Sequence, residues 1–231
     1  MALAEELSTY VKSAFAGRWE TTTGRVVPEP AAIALGNTAV ELESATVLYA
    51  DIDGSTTMVD QQSWLVCAEI YKTFLYCAAK IIRFQGGFIT AYDGDRVMAV
   101  YIGERKNSRA ALTALQINWS VHGIINPLFA EQYPQNTYRL RHVVGIDTSK
   151  LHAARTGVRG DNDLVWIGRA ANYAAKLTTL DSAFSTWITD QVFSSLAEDA
   201  KTYEGKSMWE PCIWKTMSNM RIHRSTWRWP I

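Results

Sequence analysis

The chain has 231 residues, 48% of them apolar and 20% charged, and its 23 basic residues are balanced by 23 acidic ones. That length allows one large domain, or a core of about 150 residues with terminal extensions. The zero formal charge removes the electrostatic case for a nucleic-acid or strongly acidic partner. The longest apolar stretch, Trp64 to Phe84, is interrupted by Glu69, Lys72 and Lys80; it reads as a buried amphipathic helix, so no membrane insertion is expected. Glu5 and Glu6 stand where a secretory signal carries positive charge, and no continuous apolar core precedes Arg18, so the expected location is cytoplasmic. Cys67 and Cys77 lie ten positions apart on one predicted helix, about 15 Å along its axis and beyond disulfide reach.

In chain order, Leu7, Tyr10, Val11 and Phe15 mark one stripe of a helix over 3–15. Pro28 and Pro30 make 21–36 a connecting arm, which places the division near Val40. The expected organisation is an N-terminal helix and arm over 1–39, a catalytic domain over 40–190 and an extension over 191–231 that packs on it. Thr46 to Ala50 is an apolar, β-rich run that ends at Asp51-Ile52-Asp53-Gly54, as a buried strand does when it meets a polar loop. A helix over 62–84 follows, closed by Gly86-Gly87. Two strand-like runs, 88–92 and 95–101, flank Asp93-Gly94, the strongest short hairpin signal in the sequence. A helix over 107–124, a strand over 138–147, a short strand over 164–167 and an alanine-rich helix from Gly168 to Leu180 complete the series. Strands and helices interleaved around an antiparallel hairpin imply an α/β layered domain with a mixed sheet.

Asp51 ends the first strand and Asp95 begins the strand after the hairpin turn, so neighbouring strands would bring two carboxylates to one edge of the sheet. Mg²⁺ and Mn²⁺ favour such oxygen ligands and complete their shells with water and substrate phosphates. The plain alternative is that Asp51 caps a loop and Asp95 serves the turn. Gly54, Ser55, Thr56 and Thr57 are small residues before a helix, which lets backbone N–H groups approach a polyphosphate. No Lys follows at P-loop spacing, which excludes a Walker-type ATPase.

Three blocks carry a family resemblance: 49–56 (YADIDGST), 94–100 (GDRVMAV) and 144–148 (VGIDT) with 166–177 (WIGRAANYAAKL). In this order and spacing the chain resembles the class III adenylate and guanylate cyclase catalytic domain over roughly Ala45 to Leu180. The resemblance implies a ferredoxin-like βαββαβ core with a mixed, mostly antiparallel sheet, working as a head-to-tail homodimer with shared sites. It implies two divalent cations, Mg²⁺ or Mn²⁺, held by Asp51, Asp95 and the Ile52 carbonyl, with Gly54, Ser55 and Thr56 at the triphosphate. Asn172 would reach the ribose from the partner protomer, and Lys176, four residues on, shares its helix face. The reaction implied is in-line attack of the ribose 3′-oxygen on the α-phosphate with loss of pyrophosphate.

The departures from the family pattern bear on the base. Lys176 stands where the family has its transition-state arginine and offers a point donor in place of a planar fork; Arg169 is a candidate to compensate. The purine-reading positions hold Ala91 and Val165, neither able to make the discriminating hydrogen bonds. Tyr49 stands where an apolar residue is usual and has both the bulk and the hydroxyl to suit a smaller base; as a plain core aromatic it would mean nothing for specificity. The pattern is similar to the stand-alone pyrimidine cyclases of bacterial Pycsar antiphage defence, which implies UTP ahead of CTP and a separate cyclic-nucleotide-binding effector downstream. The alternatives are a purine cyclase and a catalytically silent nucleotide-binding module. A diguanylate cyclase is disfavoured because 94–97 lacks that family's Glu-Phe pair. The C-terminal tryptophans and arginines are read as a final strand packing on the sheet, not as a nucleic-acid surface, and His152 and His223 as structural.

Overall fold

The computed structural model describes residues 2–231. Its elements are α1 (Leu3–Ala16), β1 (Glu20–Thr23), a 3₁₀ turn (Pro30–Ala32), β2 (Thr38–Ile52), α2 (Ser55–Gln61), α3 (Trp64–Phe84), β3 (Phe88–Asp93), β4 (Arg96–Tyr101), α4 (Lys106–Ser120), a π turn (Val121–Ile125), α5 (Asn126–Gln132), β5 (His142–Val158), β6 (Asp161–Ile167), α6 (Arg169–Leu177) and β7 (Thr186–Thr189). The short α7 (Asp190–Ser194), α8 (Glu198–Lys201), β8 (Thr202–Tyr203) and β9 (Lys206–Ser207) lead into β10 (Glu210–Trp214) and β11 (Met220–Ser225). The centre of the sheet runs β5-β2-β4-β3 with every neighbour antiparallel. Counted along βαββαβ, that is the order 4-1-3-2, the ferredoxin-like arrangement the blocks imply. β7 joins β5 in parallel, β11 and β10 extend that edge, and β1 and β6 pair with the outer halves of β2 and β5.

Strand alternation decides what each helix covers. Leu48, Ala50, Ile52, Val97, Ala99 and Tyr101 turn to the face under α3 and α4, where Phe74, Ile82 and Leu115 are buried. Val47, Met98 and Val100 turn to the other face, under Ala170, Ala171 and Ala174 of α6. Tyr49 and Asp51 follow Val47 in register, so they lie on the α6 face. Of the tryptophans after residue 202, Trp209 joins the α3/α4 core and Trp214 packs beside Trp187 and Ile222. His223 hydrogen-bonds Asp190 at 2.8 Å and stacks on Phe193, and His152 sits 3.0 Å from Glu41. Both histidines are therefore structural. Among the described residues no helix is long and apolar enough to cross a membrane.

Several boundaries differ from the sequence reading, each for a local reason. β2 begins at Thr38, well before Thr46, because Glu41 and Glu43 find Lys150 and Glu41 also finds His152 on β5, so a charged stretch is tolerated in a strand. β5 begins at His142 instead of Tyr138 because the Asn126 amide ties down Leu140 through both its N–H and its carbonyl. The same strand then runs on to Val158. Asp93 pairs with Arg96, so the hairpin loop is Gly94-Asp95, and Asp95 sits in the turn and not at the start of the strand. Gly94 takes the left-handed φ of +62° that this loop needs. The helix expected to end near Ile124 passes through the π turn and continues as α5, with Pro127 in its first turn. The stripe of α1 buries none of its side chains.

Burial holds the His142 imidazole neutral, its pKa lowered to about 3, with His122 adding to the effect. The folded value lies below the unfolded one, so this contribution to stability is complete above pH 6.5 and is lost as pH falls toward 3. Chemical denaturation of the wild type should show this acid loss, and His142→Phe should flatten it. A slope identical in the two proteins contradicts the assignment.

Candidate active site

Asp51 is the next-to-last residue of β2 and pairs directly with Arg96, the residue after Asp95. The antiparallel β2-β4 pairing therefore brings the two expected carboxylates to the same end of the sheet. Their surroundings are poor in compensation. Asp95 Oδ2 is buried with no hydrogen-bond partner, and Asp51 Oδ2 has a single long contact, 3.5 Å from the Thr178 hydroxyl. Burial first, and then the charge of Asp95, push the Asp51 carboxyl up to about 6, with Arg96 only partly offsetting them.

Two half-satisfied carboxylates that repel one another are groups able to hold a cation. Among the described residues no three or more His, Cys, Asp and Glu side chains cluster as a full metal shell. The pair therefore fits the kind of ion that takes one or two protein carboxylates and leaves positions for substrate phosphates. The chain turns immediately beyond. The Asp53 amide donates to the Arg141 carbonyl at 3.0 Å, and Arg141 makes a charge contact with Asp53 Oδ2 at 2.7 Å. Gly54 adopts φ +70°, and Ser55 and Thr56 open α2 beside it. Tyr71 of α3 hydrogen-bonds Ser55, and burial together with the Asp95 charge raises its phenol pKa.

α6 reaches this end of the sheet because Gly145 has no side chain. A Cβ there would fall 2.1 Å from the Ala174 carbonyl oxygen. That close approach sets Thr178, just past the helix, against Asp51. The other end of α6 is fixed by Arg169. Its guanidinium bonds both oxygens of the fully buried Asp147 (3.0 and 3.1 Å), the Thr148 carbonyl (2.7 Å) and Gln191. Arg169, the candidate compensating cation, anchors the start of α6 through these contacts, with Thr189 also donating to Asp147 at 2.6 Å. Asn172 and Lys176 are exposed between these two ends, and Lys176 Nζ lies 3.9 Å from the Met217 sulfur.

Tyr49 and Ala91 both stand opposite Met98, one on each side of β4, and pack against the α6-side cluster. Arg96 lies 5.9 Å from the centre of the Tyr49 ring. Val165 lies on β6, paired with Ala154 of β5; its neighbour Trp166 packs on the same cluster as Tyr49 and Ala91, and Leu164 and Trp166 line one cavity with Ile89 and Thr90. One chain therefore brings Asp51 and Asp95 to one end of the sheet, and Tyr49, Ala91 and the strand that carries Val165 to the α6-side cluster. Thr178, Arg96 and Tyr71 were not singled out from the sequence. The position of Arg96 beside Asp95 was the one available signal, since the other two meet the site only through the fold.

The architecture is that of a nucleotidyl cyclase catalytic domain. The structure superposes on the adenylyl cyclase CyaB from P. aeruginosa with a TM-score of 0.64 at 20% identity, covering 81% of this chain and 95% of that one. No protein-family model matches the chain. It is 56% identical over 232 residues to a uridylate cyclase of Xanthomonas perforans and 53% identical over 232 residues to one of Burkholderia cepacia, with all of each chain covered in both cases. The chain belongs to the uridylate cyclase family.

The repulsion at the carboxylate pair has a thermodynamic signature. The folded pKa of Asp51 lies above its unfolded value, so its contribution to stability is complete below pH 3.8 and is lost as pH rises through about 6. In EDTA, Asp51→Asn should therefore stabilise the fold by about 1–2 kcal/mol at pH 7.5 and by almost nothing at pH 4. Asp51→Asn that destabilises the fold at pH 7.5 contradicts the reading.

Proposed function

We propose that the chain is a uridylate cyclase converting UTP to 3′,5′-cyclic UMP and pyrophosphate, at sites shared between the two chains of a head-to-tail homodimer. The observation that carries the reading is the convergence of Asp51 with Asp95, whose Oδ2 is buried and unpartnered, at the ends of β2 and of the β3–β4 turn. These carboxylates and the Ile52 carbonyl would hold two divalent cations, Mg²⁺ or Mn²⁺. Such ions supply acidification of the ribose 3′-hydroxyl and neutralisation of phosphate charge.

The remaining roles belong to the protein. Gly54, Ser55 and Thr56 present backbone N–H groups to the triphosphate where the chain turns into α2. Asn172 of one protomer orients the ribose bound at the other's carboxylates, and Lys176 beside it places a positive point charge on the α-phosphate as negative charge builds there. Arg169 is a positioning residue that acts through α6. Tyr49, filling space on the β2 side of Met98 beside the small Ala91, shortens the base pocket to pyrimidine size. Val165 lines the base pocket without offering a purine-reading hydrogen bond. Burial raises the Tyr49 phenol pKa, so it stays a neutral donor. The relatives named above are uridylate cyclases over their full length, which supports uracil over cytosine. The reading places the enzyme in the cytoplasm, with its product acting as a second messenger for a separate cyclic-nucleotide-binding effector in antiphage defence.

The purified protein should form cyclic UMP from UTP with Mn²⁺, identified by mass, and little from ATP, GTP or CTP. Asp95→Ala should lower turnover at least a hundredfold. Cyclic AMP or GMP as the main product overturns the base assignment, and no cyclic product overturns the activity. Asp51→Ala and Asn172→Ala, each inactive alone, should regain up to about a quarter of wild-type activity when mixed, because random pairing makes half the dimers mixed and each mixed dimer holds one intact site. No recovery contradicts the shared site.

A further inference from the structure

A second cavity lies behind the loop that follows Asp51. It measures about 190 Å³ and is enclosed by α4, the π turn, the start of β5, the loop before β7 and the tail after β11. That volume falls below the ~300–1,000 Å³ of pockets for drug-sized ligands, and a small ion fits.

The lining selects the sign of the ion. Arg141, Arg228, His122 and His142 contribute to the wall, hydroxyls and an amide make up nearly all the rest, and no carboxylate is present. Arg141 is partly engaged by Asp53, whereas Arg228 enters no ion pair among the described residues. Two buried atoms on this wall have no partner: His142 Nε2 and Asn118 Oδ1. The orientation of the Asn118 amide is set, because its Nδ2 donates to the Thr226 and Trp227 carbonyls at 3.0 and 2.9 Å. Oδ1 is therefore an acceptor that requires a donor. The π turn Val121–Ile125 interrupts the α-helical ladder at His122, and such bulges concentrate at functional sites.

We infer that this cavity is a binding site for a small protonated oxyanion of the phosphate class. Such an ion offers acceptor oxygens to Arg228, Arg141 and the imidazoles, and its one P–OH hydrogen to Asn118 Oδ1. Sulfate matches the charge but has no hydrogen to give at neutral pH. The site borders the catalytic loop, since the Arg141 carbonyl accepts from Asp53 N and His142 pairs with Ile52. Inorganic phosphate and the pyrophosphate released by cyclisation share the required chemistry.

The test is calorimetric titration of the full-length protein in EDTA at pH 7 with inorganic phosphate, pyrophosphate and sulfate, on the wild type, Arg228→Gln and Asp95→Ala. Arg228 is exposed on the tail, so its substitution leaves the fold intact. Phosphate or pyrophosphate should bind more tightly than sulfate by about tenfold, with affinity reduced about tenfold or more in Arg228→Gln and unchanged in Asp95→Ala. Tighter phosphate identifies the free ion as the occupant, and tighter pyrophosphate identifies the reaction product. The inference is overturned if neither ion binds, if Arg228→Gln binds as the wild type does, or if binding disappears in Asp95→Ala, which would place the ion at the carboxylate pair. Loss of cyclase activity in Asp95→Ala leaves this result unaffected, so the two readings fail separately.

Discussion

The site is organised by the repulsion between two carboxylates that the fold prevents from separating. Asp51 is held by the ladder of β2, and Asp95 by a two-residue loop whose closing pair, Asp93 and Arg96, is tied by an ion pair at 2.5 Å. Asp51 lies within the strand pairing and Asp95 in the loop that joins β3 to β4, and hydrogen bonding to the pair is thin: Asp95 Oδ2 has no partner, and Asp51 Oδ2 has a long contact with the Thr178 hydroxyl. Their repulsion is a local cost to the fold. The sheet interior of Val47, Leu48, Ala50, Val97 and Ala99 supplies the stability that offsets it.

α6 is the second organising element, and it is fixed at both ends by different physics. At its start a bidentate guanidinium–carboxylate pair buries Asp147 completely; removing either partner would leave an uncompensated charge, the most costly kind of loss. At its end the fit depends on the missing side chain of Gly145, which lets the helix backbone lie directly on the strand. Between these anchors Asn172 and Lys176 stay exposed.

The parts of this arrangement legible in the sequence were those written in local pattern. The alternating apolar run into Asp51, the Asp-Gly hairpin and the alanine-rich helix each follow from short-range rules, and together they imply the 4-1-3-2 sheet. What could not be read depended on distant partners. Glu41 and Glu43 break the strand pattern of β2 until Lys150 and His152 are placed beside them. The bond of Arg169 to Asp147, 22 residues earlier, has no sign in the sequence either. Thr178 and Tyr71 meet the carboxylate site only after α6 and α3 have docked. The cavity beside Arg228 draws on four separate segments, beyond any motif.

We propose that Asp51 and Asp95 are a cation site that is protonated in part when empty. Mn²⁺ should be titrated into the wild type at pH 6 and pH 8 in buffers of different ionisation enthalpy, so that proton release is measured along with binding. With Asp51 titrating near 6, binding should release about half a proton at pH 6 and almost none at pH 8, and Asp95→Asn should abolish both binding and release. Binding without proton release at pH 6, or Mn²⁺ affinity unchanged in Asp95→Asn, would contradict it.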